Sequence, residues 1–486
     1  MEKVLFTVYN IILLFLFPFF FIALTFFNLA KNKRSEGYLY KFFPSAFKSL
    51  KEEAFQEGVW IHAVSLGEMR AAVNFIDLLQ SEYGKKIYLS ATTKTGFDFA
   101  DNLYKNNGNV LTFYFPYDFL FSVSSILKRI KPSLFISVET EIWPNLFNIL
   151  NKKNIPIALI NARISEKSYK NYIRFRFFFG YIFKKIDSVL CISDMYCKRF
   201  ASLGIKEENM HQTGNMKFDM DASLIAGDIN EKTAILKKFI EYKNNNSEHA
   251  KIVAAGSTHK GEEEIIVDSA IKLNKLNVND KNKIFLFVAP RHPERFDEVY
   301  KLLNNYLPGI ELYKLSSIYS SHYNSKDIKN IKDNNSCGLS ENKVVVVLVD
   351  IIGQLLTVYG ICDAAFVGGS LIPSGGHNLL EPLIFGKPVI FGKYVQNFSE
   401  AAEEIIKNFA GRQIDSSLEL YNALAGYLFN DKSADSAGKN GLNLISRNKG
   451  VSLRNLEYLN YKGYLLSLKS EDRKSKKIVD KIIKTN

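Results

Sequence analysis

The stretch LIPSGGHNLLEPLIFGKPVIFGK, residues 371–393, indicates how the second half of the chain folds. It follows the apolar run 364–367, which predicts a buried strand, and it ends in another apolar run at 389–391. Gly375 and Gly376 predict a loop whose backbone can approach a ligand closely, because glycine has no Cβ. A helix beginning near 378–380 would attract anions to its free amides, and Glu381 lies in its first turn. Such loops are also common as plain connections, so both interpretations stay open on this stretch alone.

Short apolar runs alternate with amphipathic segments on both sides of this stretch. Those predicted as buried parallel strands are 59–64, 87–91, 134–139, 155–160 and 188–192, then 252–255, 284–289, 344–349, 364–367 and 389–391. Two such arrays predict an α/β protein with two Rossmann-like domains facing a cleft, and ligands bound beyond the carboxyl ends of the strands. The predicted segments are an anchor at 4–29, domains at 35–213 and 214–448, and a C-terminal helix and basic tail at 449–486.

Length and charge narrow the classes of function. A chain of 486 residues is long enough for more than one domain. A net charge of +13 suits nucleic acid, an anionic membrane surface or a phosphorylated substrate. Many basic residues lie beside aromatic and apolar ones, which favours the membrane and argues against nucleic acid. Four cysteines without CxxC spacing indicate a reducing compartment and no structural zinc.

The N-terminus predicts the cellular setting. Residues 4–29 carry no charge and exceed the roughly 20 residues that cross a bilayer core, whereas the apolar part of a signal peptide is usually about 7–15 residues. Basic residues are concentrated after this segment, at Lys31, Lys33, Arg34, Lys41 and Lys48. The positive-inside rule then predicts a single-pass membrane protein with its domains in the cytoplasm.

The segment 169–186, YKNYIRFRFFFGYIFKKI, has eight aromatic and five basic residues and no acid. An ordinary core helix with a basic face would have this composition. An interfacial helix, with aromatic rings at acyl-chain depth and cations on phosphates, is the interpretation that we prefer. The Asn-, Ser- and Lys-rich segment 315–342 predicts a mobile insertion.

Polar residues follow several strands of the first half. Ser65-x-x-Glu68 fits a capping box, in which Glu68 only satisfies a helix N-terminus, but a carboxylate there could also accept a proton from a hydroxyl nucleophile. Glu139 and Glu141 follow the strand 134–139, where acids are costly to bury without partners, and helix capping is the plain alternative. Arg163 could pair with one of them, and Lys217, near the domain junction, could reach a phosphate or a carboxylate.

In the second half, GSTH (256–259), the Pro290-Arg291 step and the segment 350–354 each follow a predicted strand. Arginine's planar guanidinium suits phosphate or carboxylate. The sequence contains no Walker A, HExxH or EF-hand pattern. Its loop histidines, His62, His259, His292 and His377, do not form a convincing metal set, and a lone loop histidine is usually hydrogen-bonded scaffold.

Several of these segments occur together, in the same order, in a known family. They are the apolar N-terminus, HAVSLGE (62–68), ETEIWPN (139–145), NARIS (161–165), GNMKFD (214–219), GSTHKGEE (256–263), PRHPERF (290–296), GGSLIPSGGHNLLEP (368–382) and NF (397–398). On these motifs the chain resembles the 3-deoxy-D-manno-octulosonic acid (Kdo) transferases of Gram-negative bacteria, over about residues 1–400. The shared order and spacing are more specific than any single motif.

This resemblance implies the GT-B fold and a glycosyltransferase that moves Kdo from CMP-Kdo to the lipid A precursor at the inner membrane, with inversion and without metal or cofactor. By position in the motifs, Glu68 is the expected general base, and Glu139 and Lys217 are expected to stabilise the transition state. The positions expected to bind CMP are Pro290, Arg291, Ile352, Gly353, Gln354, Asn378, Leu379, Leu380 and Glu381. Family members often carry glutamate where Gln354 stands, so altered nucleotide contacts are expected there.

Two other functions stay open on the sequence. A membrane-anchored GT-B enzyme using a UDP-sugar, either a transferase or an epimerase, would share the same strand pattern. A non-catalytic glycolipid-binding scaffold would share the fold, although it would have no need of a base such as Glu68 beside nucleotide-binding groups.

Overall fold

A computed structural model of the chain describes residues 2–30, 37–44, 58–219, 226–244, 250–276, 283–306, 309–320 and 344–465. The chain divides into two compact units, one of Met1–Met220 with Asn448–Asn486 and one of Asp221–Arg447. The sequence suggested a boundary seven residues earlier, between 213 and 214, and set the C-terminal segment apart. In the structure, the described part of that segment, up to residue 465, belongs to the first unit.

The first unit is built on a parallel sheet of seven strands in the order β3-β2-β1-β4-β5-β6-β7. The strands are β1 Gly58–Ala63, β2 Ile87–Ala91, β3 Val110–Tyr114, β4 Pro132–Val138, β5 Ile157–Ala162, β6 Ser188–Cys191 and β7 Met210–Gln212. The helices are α1 Glu2–Ala30, α2 Tyr38–Phe42, α3 Leu66–Tyr83, α4 Lys94–Tyr104, α5 Leu120–Arg129, α6 Pro144–Lys152, α7 Glu166–Arg174, α8 Arg176–Phe183 and α9 Asp194–Ser202. Central strands such as β1 are buried along their whole length, which explains their continuous apolar sequences.

Helix α1 is apolar enough and long enough to cross a membrane between Val4 and Phe26, with a mean hydropathy of 2.4. Its outward side chains are open, and Phe15 and Phe26 are about 70% exposed (69% and 73%). Such a face is costly in water and stable in hydrocarbon. The helix is therefore a candidate membrane span.

The other face of α1 packs on the first unit. The Phe17 ring lies 5.6 Å from Phe42 and 5.4 Å from Phe119 between ring centroids. The Tyr9 hydroxyl donates to the buried Asp118 carboxylate at 3.0 Å, and the same carboxylate accepts the amide of Asn145 at the start of α6. The N-terminal helix thus has one face in contact with this unit and one face open.

The second unit has its own parallel sheet of seven strands, in the order β10-β11-β9-β8-β12-β13-β14. The strands are β8 Lys251–Thr258, β9 Ile284–Pro290, β10 Ile310–Lys314, β11 Val344–Leu348, β12 Ala364–Val367, β13 Val389–Gly392 and β14 Gly411–Ile414. The helices are α10 Ala226–Lys243, α11 Glu262–Leu276, α12 Phe296–Asn304, α13 Leu315–Ser320, α14 Leu355–Ile361, α15 Leu380–Ile384, α16 Ser399–Lys407, α17 Ser417–Leu428 and α18 Asp431–Asn448. The predicted fold of two parallel α/β sheets is confirmed.

Helix α19, Val451–Tyr461, returns the chain to the first unit. The Asp219 carboxylate accepts the amides of Gly450, Val451 and Ser452 at the start of this helix. Val451 and Leu456 then join the core that contains β1 and α3. This cap and the apolar face of α19 explain why the C-terminal helix does not form a separate segment.

Two local predictions need correction. The segment 169–186 is two helices, α7 and α8, that break at Phe175, and Ile182 and Phe183 are fully buried. It therefore supplies core side chains as well as the exposed rings of Phe175 and Phe177. The segment 315–342 begins with the ordered helix α13, and its remainder after 320 lies outside the described residues, as does the basic tail after 465.

Candidate active site

Glu68 lies in the first turn of α3, immediately beyond the carboxyl end of β1. Its amide donates to Ser65 Oγ at 3.4 Å, while its carboxylate accepts the Val64 amide at 2.5 Å and the Ser65 hydroxyl at 3.3 Å. The capping interpretation is therefore realised, with the Val64 amide as the main donor. Because capping holds the carboxylate in one orientation, it also fixes the direction from which Glu68 could take a proton.

Glu139 follows β4 and is held by two cations. Its Oε2 lies 2.9 Å from Arg163 Nη2 and its Oε1 lies 3.5 Å from Lys217 Nζ. Glu139 has a left-handed backbone with φ of 63°, an uncommon conformation for a residue with a Cβ that is found often at functional sites. The pairing that the sequence suggested for Arg163 thus exists, and Lys217 reaches the same carboxylate.

A buried amide side chain brings Lys217 to this place. Asn161, at the end of β5, has φ of 53°, and its Oδ1 accepts the Met216 amide at 2.9 Å. This bond fixes the short 3-10 helix Met216–Asp219 against the carboxyl edge of the sheet. Lys217, distant in sequence from the other members, is therefore positioned by a polar residue of the neighbouring strand.

The electrostatics of this cluster differ from those of surface acids. Burial and the nearby Glu139 charge raise the pKa of Glu68 and of Glu141 to about 7 each. Burial lowers the pKa of Lys217, an effect that its Glu139 partner opposes. A carboxyl group that titrates near neutral pH beside fixed cations is suited to proton transfer at a site where negative charge is handled.

The second unit uses a buried carboxylate to shape its glycine loop. Glu262, at the start of α11, accepts the amides of Gly369, Ser370 and Leu371 at 2.7 to 3.1 Å and that of His259 at 2.9 Å. Burial raises its pKa, although the four amide bonds oppose the shift. A Cβ on Gly368 would lie 2.8 Å from a Glu262 oxygen and 2.5 Å from a backbone oxygen, so glycine is required there.

The nucleotide positions predicted on this unit fall on three loops after parallel strands. Pro290 ends β9, and the exposed Arg291 follows it with its amide bonded to the Thr258 carbonyl at 3.0 Å. Ile352 is 74% exposed, and Gly353 has φ of 86°. The structure therefore presents their backbones and the Arg291 guanidinium at this edge of the sheet.

Gln354 is buried at the beginning of α14, where its Oε1 accepts the Tyr319 hydroxyl at 3.4 Å. Its side chain is thus held by the protein rather than open to solvent. This holds the loop in place but limits how freely the amide can turn towards a ligand.

The last group of predicted residues lies at α15. Asn378 Oδ1 accepts the Leu380 amide at 3.2 Å, and its Nδ2 donates to Glu381 at 3.3 Å. Leu379 and Leu380 have fully buried side chains, so only their backbone atoms could contact a ligand. Helix α15 begins at Leu380, within the range 378–380 from which it was expected to start.

Glu68, Glu139 and Lys217 are brought together in the first unit, and the predicted CMP positions lie in the second. Glu262 lies within one of the motifs but had no predicted role, since three of its four amide donors come from a loop that is distant in the chain and cannot be inferred from local sequence. Glu263, which holds Arg295 at 2.8 Å, was missed for the same reason. Within the described residues, no group of three His, Cys, Asp or Glu side chains has an arrangement that could hold a metal ion.

Comparison with known proteins gives the family and the fold of the chain. A family model for 3-deoxy-D-manno-octulosonic-acid transferase (kdotransferase) matches residues 38–220. The 3-deoxy-D-manno-octulosonic acid transferase of Haemophilus influenzae is 32% identical over 405 residues, which cover 83% of this chain and 86% of that protein. A bifunctional glycosyltransferase/methyltransferase of Fusobacterium nucleatum subsp. nucleatum is 35% identical over 415 residues, and this chain spans only 59% of its length.

Among solved structures, the UDP-GlcNAc 2-epimerase of Neisseria meningitidis matches 84% of this chain and 100% of its own, with a TM-score of 0.55. At 13% identity this likeness shows the GT-B-like fold alone. The Haemophilus influenzae relative shows the family as well, because it is 32% identical and the match covers most of both chains. The chain belongs to the 3-deoxy-D-manno-octulosonic acid transferases and is a glycosyltransferase.

Proposed function

We propose that this enzyme transfers Kdo from CMP-Kdo to the lipid A precursor, with inversion, without a metal ion and with release of CMP. The observation that supports this most is the Glu68, Glu139, Arg163 and Lys217 cluster in a member of this family. Glu68 is a carboxyl group that can take a proton from a hydroxyl nucleophile. Arg163 and Lys217 are cations, held in place by Glu139, that can bind an anionic sugar.

The reaction is a single displacement at the anomeric carbon of Kdo. The acceptor oxygen forms the new C–O bond as the bond from that carbon to the CMP phosphate oxygen breaks. The acceptor proton passes to the Glu68 carboxylate, whose pKa of about 7 suits a base at neutral pH. Attack from the side opposite to the leaving group inverts the configuration.

Negative charge is present at both ends of this displacement. Kdo carries its own carboxylate, and Lys217 and Arg163 supply cations that Glu139 holds in fixed positions. The leaving phosphate would be held by Arg291, whose side chain is exposed at the carboxyl edge of the second sheet. Preorganised donors of this kind can contribute roughly 10²–10³ in rate each, and they can act in place of a divalent ion.

The proposal includes attachment of the enzyme to the inner membrane by helix α1. Helix α1 would span the inner membrane once, with both units on the cytoplasmic side, and the exposed rings of Phe175 and Phe177 with nearby cations would meet the anionic glycolipid. If so, carbonate washing leaves the protein in the membrane, and protease added to inside-out vesicles digests both units. Protection in those vesicles would reverse the proposed orientation.

The function is tested by incubating the purified enzyme with CMP-Kdo and lipid A precursor and measuring products by mass spectrometry. We expect one or more Kdo additions to the acceptor, each with one CMP released, and activity that survives a chelator. UDP-sugars serve as the matched alternative donors. Transfer or epimerisation with a UDP-sugar, and none with CMP-Kdo, would overturn the proposal in favour of the alternative enzyme.

A further inference from the structure

Three histidines from separate segments of the second unit meet at the carboxyl edge of its sheet. His259 follows β8, His292 follows β9, and His377 lies in the glycine loop after β12. The Nε2 atoms of His259 and His377 are 2.8 Å apart, and their rings are stacked with centroids at 5.1 Å. The His292 ring stands edge-on to His259 at 5.5 Å. His259 and His377 are half-buried and His292 is exposed, so the cluster is reachable from solvent.

The backbone is built to allow this stacking. A Cβ on Gly369 would lie 3.0 Å from the His377 ring and 3.4 Å from that of His259. Gly369 has φ of 66°, and its amide is tied to Glu262, which also holds the amide of His259. One buried carboxylate therefore fixes the backbone on both sides of the histidine pair.

The charges around the pair keep it neutral when no anion is present. Burial and the nearby Arg291, His259 and His292 lower the pKa of His377 to about 3. Burial, His292, Arg295 and Arg291 also lower the pKa of His259, and the Glu263 charge opposes this. At neutral pH one ring therefore donates its Nε2 hydrogen to the other, and the pair is uncharged.

We propose that His259, His292 and His377, together with Arg291, bind a phosphate monoester group, and that the His259–His377 pair takes up one solvent proton when it does so. Naming this group as the phosphate of CMP rests on the proposed function. The proposal that the site binds a phosphate monoester rests only on the histidine cluster and Arg291.

We expect the proton uptake because a protonated histidine pair offers more N–H donors to a phosphate than a neutral pair does. In the neutral pair, one ring uses its Nε2 hydrogen on its partner and presents a bare Nδ1, so only one outward nitrogen carries hydrogen. A protonated pair presents hydrogen on both outward nitrogens. A phosphate dianion nearby favours the charged form and raises the pKa of the pair, and by linkage the phosphate binds more tightly as the pH falls. The two imidazoles titrate as a unit.

Calorimetry in two buffers of different ionisation enthalpy tests this. CMP is titrated into the full-length enzyme between pH 7 and 8, where a phosphate monoester with a second pKa near 6 is already a dianion. We expect a net uptake of up to about one proton per CMP that grows as the pH falls towards 7, and affinity that changes by no more than about tenfold per pH unit. Cytidine, which has no phosphate, should bind without proton uptake.

The variants H259Q and H377Q should lose the proton uptake and bind CMP about 10-fold or more weakly, while their binding of cytidine stays the same. H211Q in the first unit, where the ring stacks on Tyr458, is the matched control and should behave like the wild type. CMP binding with no proton uptake, or unchanged uptake in both variants, would overturn the inference and leave the transfer reaction standing.

The proposed function can fail separately. If CMP does not bind, methyl phosphate replaces it as a phosphate monoester without sugar or base. Proton uptake with methyl phosphate in the wild type, lost in H377Q, would support the anion site alone, and its absence would overturn it. Thermal unfolding of each variant, unchanged from the wild type, shows that the loop has kept its structure.

Discussion

Acids stand near the carboxyl ends of parallel strands in both units, but their partners differ. In the first unit, Glu68 and Glu141 lie beside the ion-paired Glu139, and the pKa of each is raised to about 7. In the second unit, Glu262 is fully buried and accepts four backbone amides, and Glu263 is held by Arg295. The first arrangement leaves carboxyl groups that can exchange a proton near neutral pH. The second uses carboxylates to fix loops.

Position at a strand end does not decide the role of an acid. A carboxylate saturated by amide donors has no lone pair left for a substrate, and removing it releases a loop. A carboxylate with few donors and a like charge nearby is costly to keep ionised, and that cost is what places its pKa where a base is useful. Substitutions in the two units should therefore fail in different ways.

The largest effect is expected at Glu68. E68Q keeps the size of the side chain but cannot accept the acceptor proton, so the transfer rate should fall by about 10²–10⁴. Binding of CMP should be unchanged. Because the glutamine amide is neutral, the variant should unfold at the same temperature as the wild type, or above it, at pH 8. Initial rates with CMP-Kdo and acceptor, together with thermal unfolding, measure both properties.

E82Q lies on the exposed face of the same helix α3 and serves as the control, with wild-type rates expected. Near wild-type transfer by E68Q would remove Glu68 as the base and leave its hydrogen bonds to Val64 and Ser65 as its whole role.

The strand pattern explains which parts of the fold could be predicted from the sequence. The ten predicted strands exist, because a central strand buried on both faces must be apolar throughout. The four that were not predicted, β3, β7, β10 and β14, are the edge strands of the two sheets. No residue of β7 and only one residue of β14 is buried, so polar residues interrupt their patterns. Edge strands are fixed by their neighbours more than by their own sequence.

Some residues of the candidate site could also be predicted from the sequence, and others could not. Glu68 and Glu139 could be placed because each lies at or just after the end of a predicted strand, and Lys217 because it lies within one of the motifs. The role of Glu262 could not, since its three loop amides lie 107 to 109 residues away in the chain. The contact between His259 and His377 spans 118 residues and depends on Gly369. Such contacts need the sheet order, which local patterns do not contain.

The next effect is on stability and should appear in the second unit. E262A leaves four amides without their acceptor in a buried place, which should cost at least about 3 kcal/mol of that unit's unfolding free energy. Both tryptophans, Trp60 and Trp143, lie in the first unit, so their fluorescence reports on that unit alone. We expect the circular dichroism transition in urea to move to lower concentration while the fluorescence transition stays in place.

D268A, on the exposed side of the same helix α11, is the control and should change stability by less than about 0.5 kcal/mol. Equal shifts of both transitions in E262A would mean that Glu262 supports more than its own unit. No shift in either would show that the four amides find other acceptors.

A smaller effect, on the pH dependence of stability, is expected at Glu141 in the first unit. Because the pKa of Glu141 is raised from 4.5 to about 7 in the folded state, folding binds a proton between these values and stability falls as the pH rises through them. E141Q removes that cost, so it should raise the midpoint of the tryptophan transition by a few degrees at pH 8, on the order of 1–2 kcal/mol. At pH 4.5 or below, the variant and the wild type should unfold alike. An equal difference at both pH values would exclude the raised pKa as its cause.

The smallest effect is expected at Gln354, a position for which the resemblance to the family implied glutamate. The side chain is buried at the start of α14 and accepts the Tyr319 hydroxyl, and a carboxylate in Q354E can accept the same bond. A negative charge is favourable near a helix N-terminus by about 0.3–1 kcal/mol, whereas its burial opposes that gain. Calorimetry should therefore show CMP affinity within about tenfold of the wild type, and Q354L, which has no acceptor, should bind more weakly than Q354E. A loss of more than about 100-fold in Q354E would mean that charge at this loop matters as much as it does at Glu68, and the contrast between carboxyl groups that exchange a proton in the first unit and polar side chains that fix loops in the second would no longer hold.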